Sequence, residues 1–413
     1  QTVEFAGVAV HDVVVRKTGG SVTFPSGFTC ADLDLRETGN LVFRFAAGET
    51  VTCADFSADG VTLASTEERT KWLLDIRSSA TANGITVSDS KAVGLAVYAD
   101  SSSREQPGRE GSCERWTFGA LAQTWTGLAG DGKWETAENW SPAVVPGPTS
   151  RVVIAVASAS VTATEAASVQ NLVLGNGSDK VSLRLDNVLA SAGGVDGTGG
   201  ATLTANKPMT VAGNVSVREN GKLTHTELSS SATKISDATY SVNVTCGGNL
   251  TVEAGGLIDA IGKGYRTNKG PGSNGQATAH GGAVNVATMA KCYGSLTCPT
   301  NCGSGSDRYV GGGAVRLTVG NDLVVNGSVI ADSNPAGGNG TGSGGSVWLT
   351  AGALKGGSEG VISARSAAVG YAGGGGRILL VQTKATDLSA YKGTVSSGSI
   401  NADSGPGTLY VEN

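Results

Sequence analysis

The sequence predicts an all-β chain, a right-handed parallel β-helix (β-solenoid) with glycine-rich loops, and three observations predict it. The first is a glycine-led phrase that returns at nearly constant spacing: GGAVNVA from Gly281, GGAVRLT from Gly312, GGSVWLT from Gly344 and GGRILLV from Gly375. Its second glycines, Gly282, Gly313, Gly345 and Gly376, stand 31, 32 and 31 residues apart. A fixed period of that size signals units that stack and cover each other's apolar faces. The second observation is the pairing of apolar residues two apart within each phrase: Val284 and Val286, Val315 and Leu317, Val347 and Leu349, Ile378 and Leu380. That is strand periodicity. The third is composition. With 63 glycines, 5% aromatic and 16% charged residues in 413, the chain cannot fill a wide globular core but can fill the narrow lumen of a stacked coil. A β-propeller is the alternative, and it needs about four strands per repeat joined by hairpin turns.

Residues 1–120 read as a first solenoid segment, with alternation at Val3 to Val15, Val22 to Phe24, Leu33 to Leu35, Leu41 to Phe45 and Val61 to Leu63. Cys30 and Cys53 lie in near-identical phrases, TCADLDL and TCADFSA, 23 residues apart. A coil of that length stacks the two thiols on rungs about 4.8 Å apart, inside the Cα range of a disulfide. A ladder of free thiols is the other reading. Residues 121–150 break the pattern and carry Trp125, Trp134 and Trp140. Such a cluster either stacks on sugars or plugs a seam between segments; the plug is the expectation, because Trp buries much area at low entropic cost.

Residues 151–413 resume the solenoid. A second phrase appears as GNVSVRENGKLTH from Gly213, GNLTVEAGGLIDA from Gly248 and GNDLVVNGSVIAD from Gly320. It reads as strand, tight turn, strand, with Gly221, Gly255 and Gly327 supplying positive φ. Asp259 and Asp332 fall near the end of two copies, but those copies start 72 residues apart, so they are not expected on adjacent rungs. The loops Gly262 to His280, Gly303 to Gly311, Pro335 to Ser343 and Val369 to Gly373 either project in register as a binding face or pack as a glycine layer.

Little in the sequence promises catalysis. The charge of -5 is well mixed and no basic stripe exists, which argues against nucleic acid. No run of about 18 apolar residues occurs, so no membrane span is expected. His11, His225 and His280 are scattered and give no nucleophile–base arrangement. Asp179, Asp186 and Asp196 read as solvated turn acids. No cofactor is expected; GNGSD at Gly175 and GSGSD at Gly303 echo a Ca²⁺-binding repeat, which needs tandem copies. Seven cysteines point to an oxidising, extracellular compartment, and a start at Gln1 is expected of a processed product. Cys292, Cys298 and Cys302, with Cys246 earlier and His280 nearby, invite either a loop disulfide or zinc, though the C-x5-C-x3-C spacing is no familiar zinc knuckle.

Two stretches carry a resemblance. Val61 to Gly119, with Trp72, Leu74, Ile76, Ile85, Val87, Trp116 and Phe118, resembles the coils of secreted parallel β-helix surface proteins of Planctomycetes and Verrucomicrobia-like bacteria. In that setting Glu67 to Leu74, which could pass for a helix, becomes a loop and a strand. Trp125, Trp134, Asn139, Trp140, Pro146 and Gly147 resemble the W-x-G…W…NW…P element of autotransporter-associated proteins. The resemblance implies an extracellular, structural role: a subunit of a cell-surface fibre, filament or adhesin. The strand-like ends, without a capping helix, point the same way. They would pair Val3, Phe5, Val8 and Val10 of one copy with Leu409 and Val411 of the next, and a contact that does not close makes a filament. The alternative is a polysaccharide-binding or polysaccharide-degrading protein on the same scaffold, which an acidic row on one face would favour.

Overall fold

Strict alternation gives each short strand one apolar face, and parallel neighbours stack those faces in register. The computed structural model describes the chain except residues 6–9, 16, 18, 37–40, 95–96, 101, 276, 284–290, 335–341, 367–372, 399–404 and 413. The described residues are all-β, with many parallel strands and no α-helix, an arrangement compatible with a β-solenoid. The chain divides into two compact units. One comprises Gln1–Gln123 with Gly147–Arg151, the other Thr124–Pro146 with Val152–Asn413.

In the first unit, one parallel sheet runs Asp12–Val14, Asp32–Arg36, Thr50–Asp59, Trp72–Asn83 and Ser90–Ala92. A second runs Gly20–Phe24, Leu41–Phe45, Thr62–Ser65, Thr86–Val87 and Arg104–Glu105. The inward positions carry the apolar residues: Val22 pairs with Phe43 and Phe24 with Phe45, and all four are buried. Rings stack along the core, Phe24 on Phe45 at 5.4 Å and Phe45 on Trp72 at 4.2 Å. Trp72 opens a strand, as the resemblance implied for that stretch.

The second unit has three parallel sheets that the chain visits in rotation. Ser160–Ala163 and Ala167–Val169 each start one, Asn171–Leu174 follows Ser150–Ile154 in the third, and Val181–Leu185, Leu189–Ser191 and Val195–Gly197 add the next strand to each. Partners such as Val181 and Ala201 are so close in sequence that no helical crossover fits between them, so the return path must use the other two sheets.

The glycine-led phrases fall in register: Val315 pairs with Val347 and Val347 with Ile378. The first copy differs. Val284 and Val286 lie outside the described residues, and the rung beside Ala314–Val319 is Val242–Cys246. Gly281 and Gly282 instead donate their N–H groups to the Gly375 carbonyl, at 2.9 and 3.0 Å.

The second phrase also corrects the expectation. Leu250 pairs with Leu323 and Ile258 with Val329, so the copies at Gly248 and Gly320 are neighbours after all. The chain between them leaves the ladder and returns to the next rung. Asp259 stands opposite Ile330, out of step with Asp332. Of the three turn glycines only Gly255 has positive φ; in the first copy Asn220 takes that conformation.

Close packing accounts for glycines in this excursion and in the rungs beyond it. Gly264 N–H donates to the Gly311 carbonyl at 2.8 Å, Gly303 to Gly312 at 2.7 Å, and Gly344 to Gly374 at 3.1 Å. These segments pack backbone to backbone, which a Cβ would prevent. The described parts of the four loops form a packed layer, not a row of projecting arms.

Candidate functional site

A concavity lined by polar and cationic side chains lies on the second unit. Arg184, Thr204 and Thr224 are successive members of one outward row, in register across three strands. The chain after Thr224 leaves the sheet and closes over that row. The result is a cleft of about 490 Å³, with Lys263 and Arg266 on its wall.

The cleft is held by specific bonds. Arg184 Nε donates to Asp186 Oδ1 at 2.8 Å, and Asn206 Nδ2 donates to the same oxygen at 2.7 Å. Arg266 pairs with Glu227. Lys263 pairs with no carboxylate among the described residues. His225 is fully buried, its Nδ1 2.8 Å from the Thr226 carbonyl. Burial, chiefly, pushes its pKa down to about 4, and Lys263 adds to the effect, so the ring is neutral. Its Nε2 lies 2.4 Å from where a Cβ on Gly313 would stand. His225 is therefore a wall of the cleft, and the cationic groups are Arg184, Lys263 and Arg266.

A row of carboxylates appears on the first unit. Asp12 pairs with Asp32 and Asp32 with Asp55. Sequence reading missed it by seeking acids only in the later repeats, although the TCAD phrase carried the signal at the same spacing as its cysteines. Asp186 and Asp196 are not solvated turn acids: Arg184 engages the first, and Arg218 engages both oxygens of the second at 2.9–3.1 Å. Asp332 is buried, accepting from Ser363 Oγ at 2.5 Å and Arg365 N–H at 2.6 Å.

The expected disulfides are not formed; all seven cysteines are free thiols. Cys30 and Cys53 do sit on adjacent rungs, as the flanking pair Thr29 and Thr52 shows. In a parallel ladder their Cβ atoms point the same way and stay about one strand spacing apart, beyond the usual ~3.8 Å of a disulfide. Burial first, then nearby carboxylates, pushes the Cys30 thiol up to about 11, and burial raises Cys53 to about 12.

Cys246 faces the core of its strand, where its Sγ donates to the Gly213 carbonyl at 3.1 Å. Cys302 is buried with Tyr265 and Leu228, whereas Cys292 and Cys298 are exposed. His280 lies against the same loop, its Nδ1 2.8 Å from the Gly344 carbonyl and its ring packed on Tyr293 at 4.7 Å. No group of three metal-ligating side chains occurs among the described residues. The expected outcome with a thiol reagent is fast reaction of two cysteines in the folded protein and of all seven after denaturation. Fast reaction of Cys30 or Cys53 would contradict the packing.

The calcium-like turn at Gly175 spends its oxygens internally: Asn176 Oδ1 accepts from the N–H groups of Ser178 and Asp179 at 3.0 and 2.9 Å.

Trp125, Trp134 and Trp140 form one buried cluster. Trp140 meets the other two edge to face at 5.0 and 4.9 Å and donates its indole N–H to the Trp134 carbonyl at 2.8 Å. Buried Asn139 donates to Asp131 Oδ1 at 2.7 Å and accepts from Ala129 N–H at 3.0 Å. No indole face is left open for a sugar.

The assembly residues divide. Val3 N–H donates to the Thr23 carbonyl at 2.8 Å, and Phe5 packs on Phe28 at 4.9 Å. Val3, Phe5 and Val10 thus pack on one side against the core of their own unit and stay partly exposed; Val8 lies outside the described residues. Thr408–Glu412 pairs along one edge with Arg377–Gln382. Leu409 and Val411 occupy the register positions of Ile378 and Leu380, yet they are 48% and 36% exposed where those are 0% and 1%.

Among the described residues no helix is long and apolar enough to cross a membrane. Comparison with family models, curated proteins and solved structures finds no match.

Proposed function

We propose that this protein is an extracellular structural subunit, a right-handed parallel β-solenoid that adds copies of itself end to end. The observation that carries the reading is the strand Thr408–Glu412. Its core-facing positions, Leu409 and Val411, are exposed, whereas every preceding rung of that sheet buries its equivalents under the next. An edge strand with exposed apolar side chains is a template for another strand. The occupant is a second copy, because the Gln1–Phe5 layer of this chain is itself strand-like, parallel to its neighbour at Thr2 and Thr23, and only partly buried at Val3 and Phe5. The resemblance of the Trp-rich element and of the coils around Trp72 and Trp116 supports a surface location.

The double variant Leu409→Lys/Val411→Lys tests the reading by light scattering across a concentration series. The wild type is expected to grow in mass with concentration. The variant, with unchanged circular dichroism, is expected to remain a monomer. Equal behaviour of the two would overturn the assignment of this strand. A second reading, polysaccharide binding on the same scaffold, is favoured by the in-register row of Asp12, Asp32 and Asp55.

A further inference from the structure

We propose that the cleft beside Arg184 binds a saccharide bearing an anionic oxygen group, a uronate carboxylate or a sulfate ester. This inference uses none of the residues of the end strand and stands apart from assembly. The argument starts from Arg184. Its Nε is tied to Asp186, and Asp186 is itself held by Asn206. That leaves the two terminal nitrogens of the guanidinium with no hydrogen-bond partner among the described residues, on a side chain 48% exposed. A guanidinium fixed at one nitrogen and open at two presents a fork that matches a carboxylate or sulfate, and its orientation is set before binding.

Lys263 adds a second cation, one with no carboxylate partner among the described residues. Arg266 adds a third, balanced by Glu227. With Asp186 bonded to Arg184 and Glu227 to Arg266, Lys263 leaves the cleft one positive charge in excess, which favours an anion.

The remaining polar groups favour a hydroxylated ligand over a bare ion. Thr204 stands in the floor next to Arg184, and Ser230 lies on the overhanging segment. Neither hydroxyl has a hydrogen-bond partner among the described residues. The volume of about 490 Å³ falls in the range of small-ligand sites and exceeds what one inorganic anion fills. The floor is a straight row with a repeat of about 4.8 Å.

The test is calorimetric titration of the full chain with trigalacturonate, a sulfated galactotriose, neutral galactotriose and inorganic sulfate. At least one anionic trisaccharide is expected to bind, with an affinity that falls as salt rises, while the neutral one does not. Arg184→Ala and Lys263→Ala are each expected to weaken binding about tenfold or more, equivalent to about 1.4 kcal/mol. Arg184→Lys keeps the charge without the fork and is expected to recover only part of that loss. Lys207→Ala, outside the cleft, is expected to change nothing. Arg184 is half-exposed on the outer sheet face, and unchanged circular dichroism of each variant separates lost binding from lost folding. The proposal is overturned if neither anionic trisaccharide binds at millimolar concentration, if the neutral one binds equally well, or if Arg184→Ala binds like the wild type. Inorganic sulfate binding as tightly as the sulfated trisaccharide overturns the saccharide assignment.

Discussion

Replacing Trp140 with Ala is expected to lower the stability of the second unit by about 3–5 kcal/mol, the usual cost of emptying a packed aromatic site. Trp140 is 2% exposed and touches both other indoles of its segment. Its loss leaves a cavity and frees the Trp134 carbonyl from its indole donor. The segment cannot collapse into the gap, because Asp131 ties Lys133, Thr136 and Asn139 into one turn. Those bonds, led by that from Thr136, hold the Asp131 carboxyl down at about 2, so the turn keeps its charge-assisted bonds through ordinary acid conditions. Urea unfolding followed by circular dichroism reads the change. A shift below about 1 kcal/mol would mean that the cluster is not a packed plug.

Gly345→Ala is expected to cost as much or more, by the opposite mechanism. A Cβ at Gly345 would stand 1.9 Å from the Gly313 carbonyl oxygen, far inside contact distance. Gly313 cannot retreat freely, since its own Cβ position is already filled by the His225 ring and the Lys263 stem. Overpacking against side chains costs about 1–3 kcal/mol; here the obstacle is the Gly312–Gly313 backbone with side chains packed behind it, so a cost beyond that range is expected. Gly398→Ala is the control. Nothing lies within 4 Å of its Cβ position and its φ is not positive, so a change within about 0.5 kcal/mol is expected. Similar losses in the two variants would mean that the glycine layer does not pack backbone to backbone.

These two sites mark what was legible in the sequence. The shared register of Val315, Val347 and Ile378 is visible in the sequence because the chain between them is nearly constant in length. The rung beside Val315 was hidden, because ladder pairing ignores how much chain leaves and returns. Val244 and Leu317 are neighbours although the whole glycine excursion lies between them. The Trp cluster was legible by composition, as Trp seldom gathers without packing. The cleft was not, because Arg184, Lys263 and Arg266 meet only through that excursion and share no motif. The thiols misled for a geometric reason: equal spacing at Cys30 and Cys53 brings the backbones together but leaves the side chains parallel.

The same ladder logic underlies the proposed assembly. Each rung of the second sheet of the second unit buries its inward residues under the next, and Thr408–Glu412 leaves Leu409 and Val411 uncovered. Electron microscopy of the native chain over a range of concentrations tests this most directly. The account predicts linear arrays of particles joined end to end, lengthening with concentration and absent for Leu409→Lys/Val411→Lys. Single dispersed particles of the wild type at every concentration would contradict it.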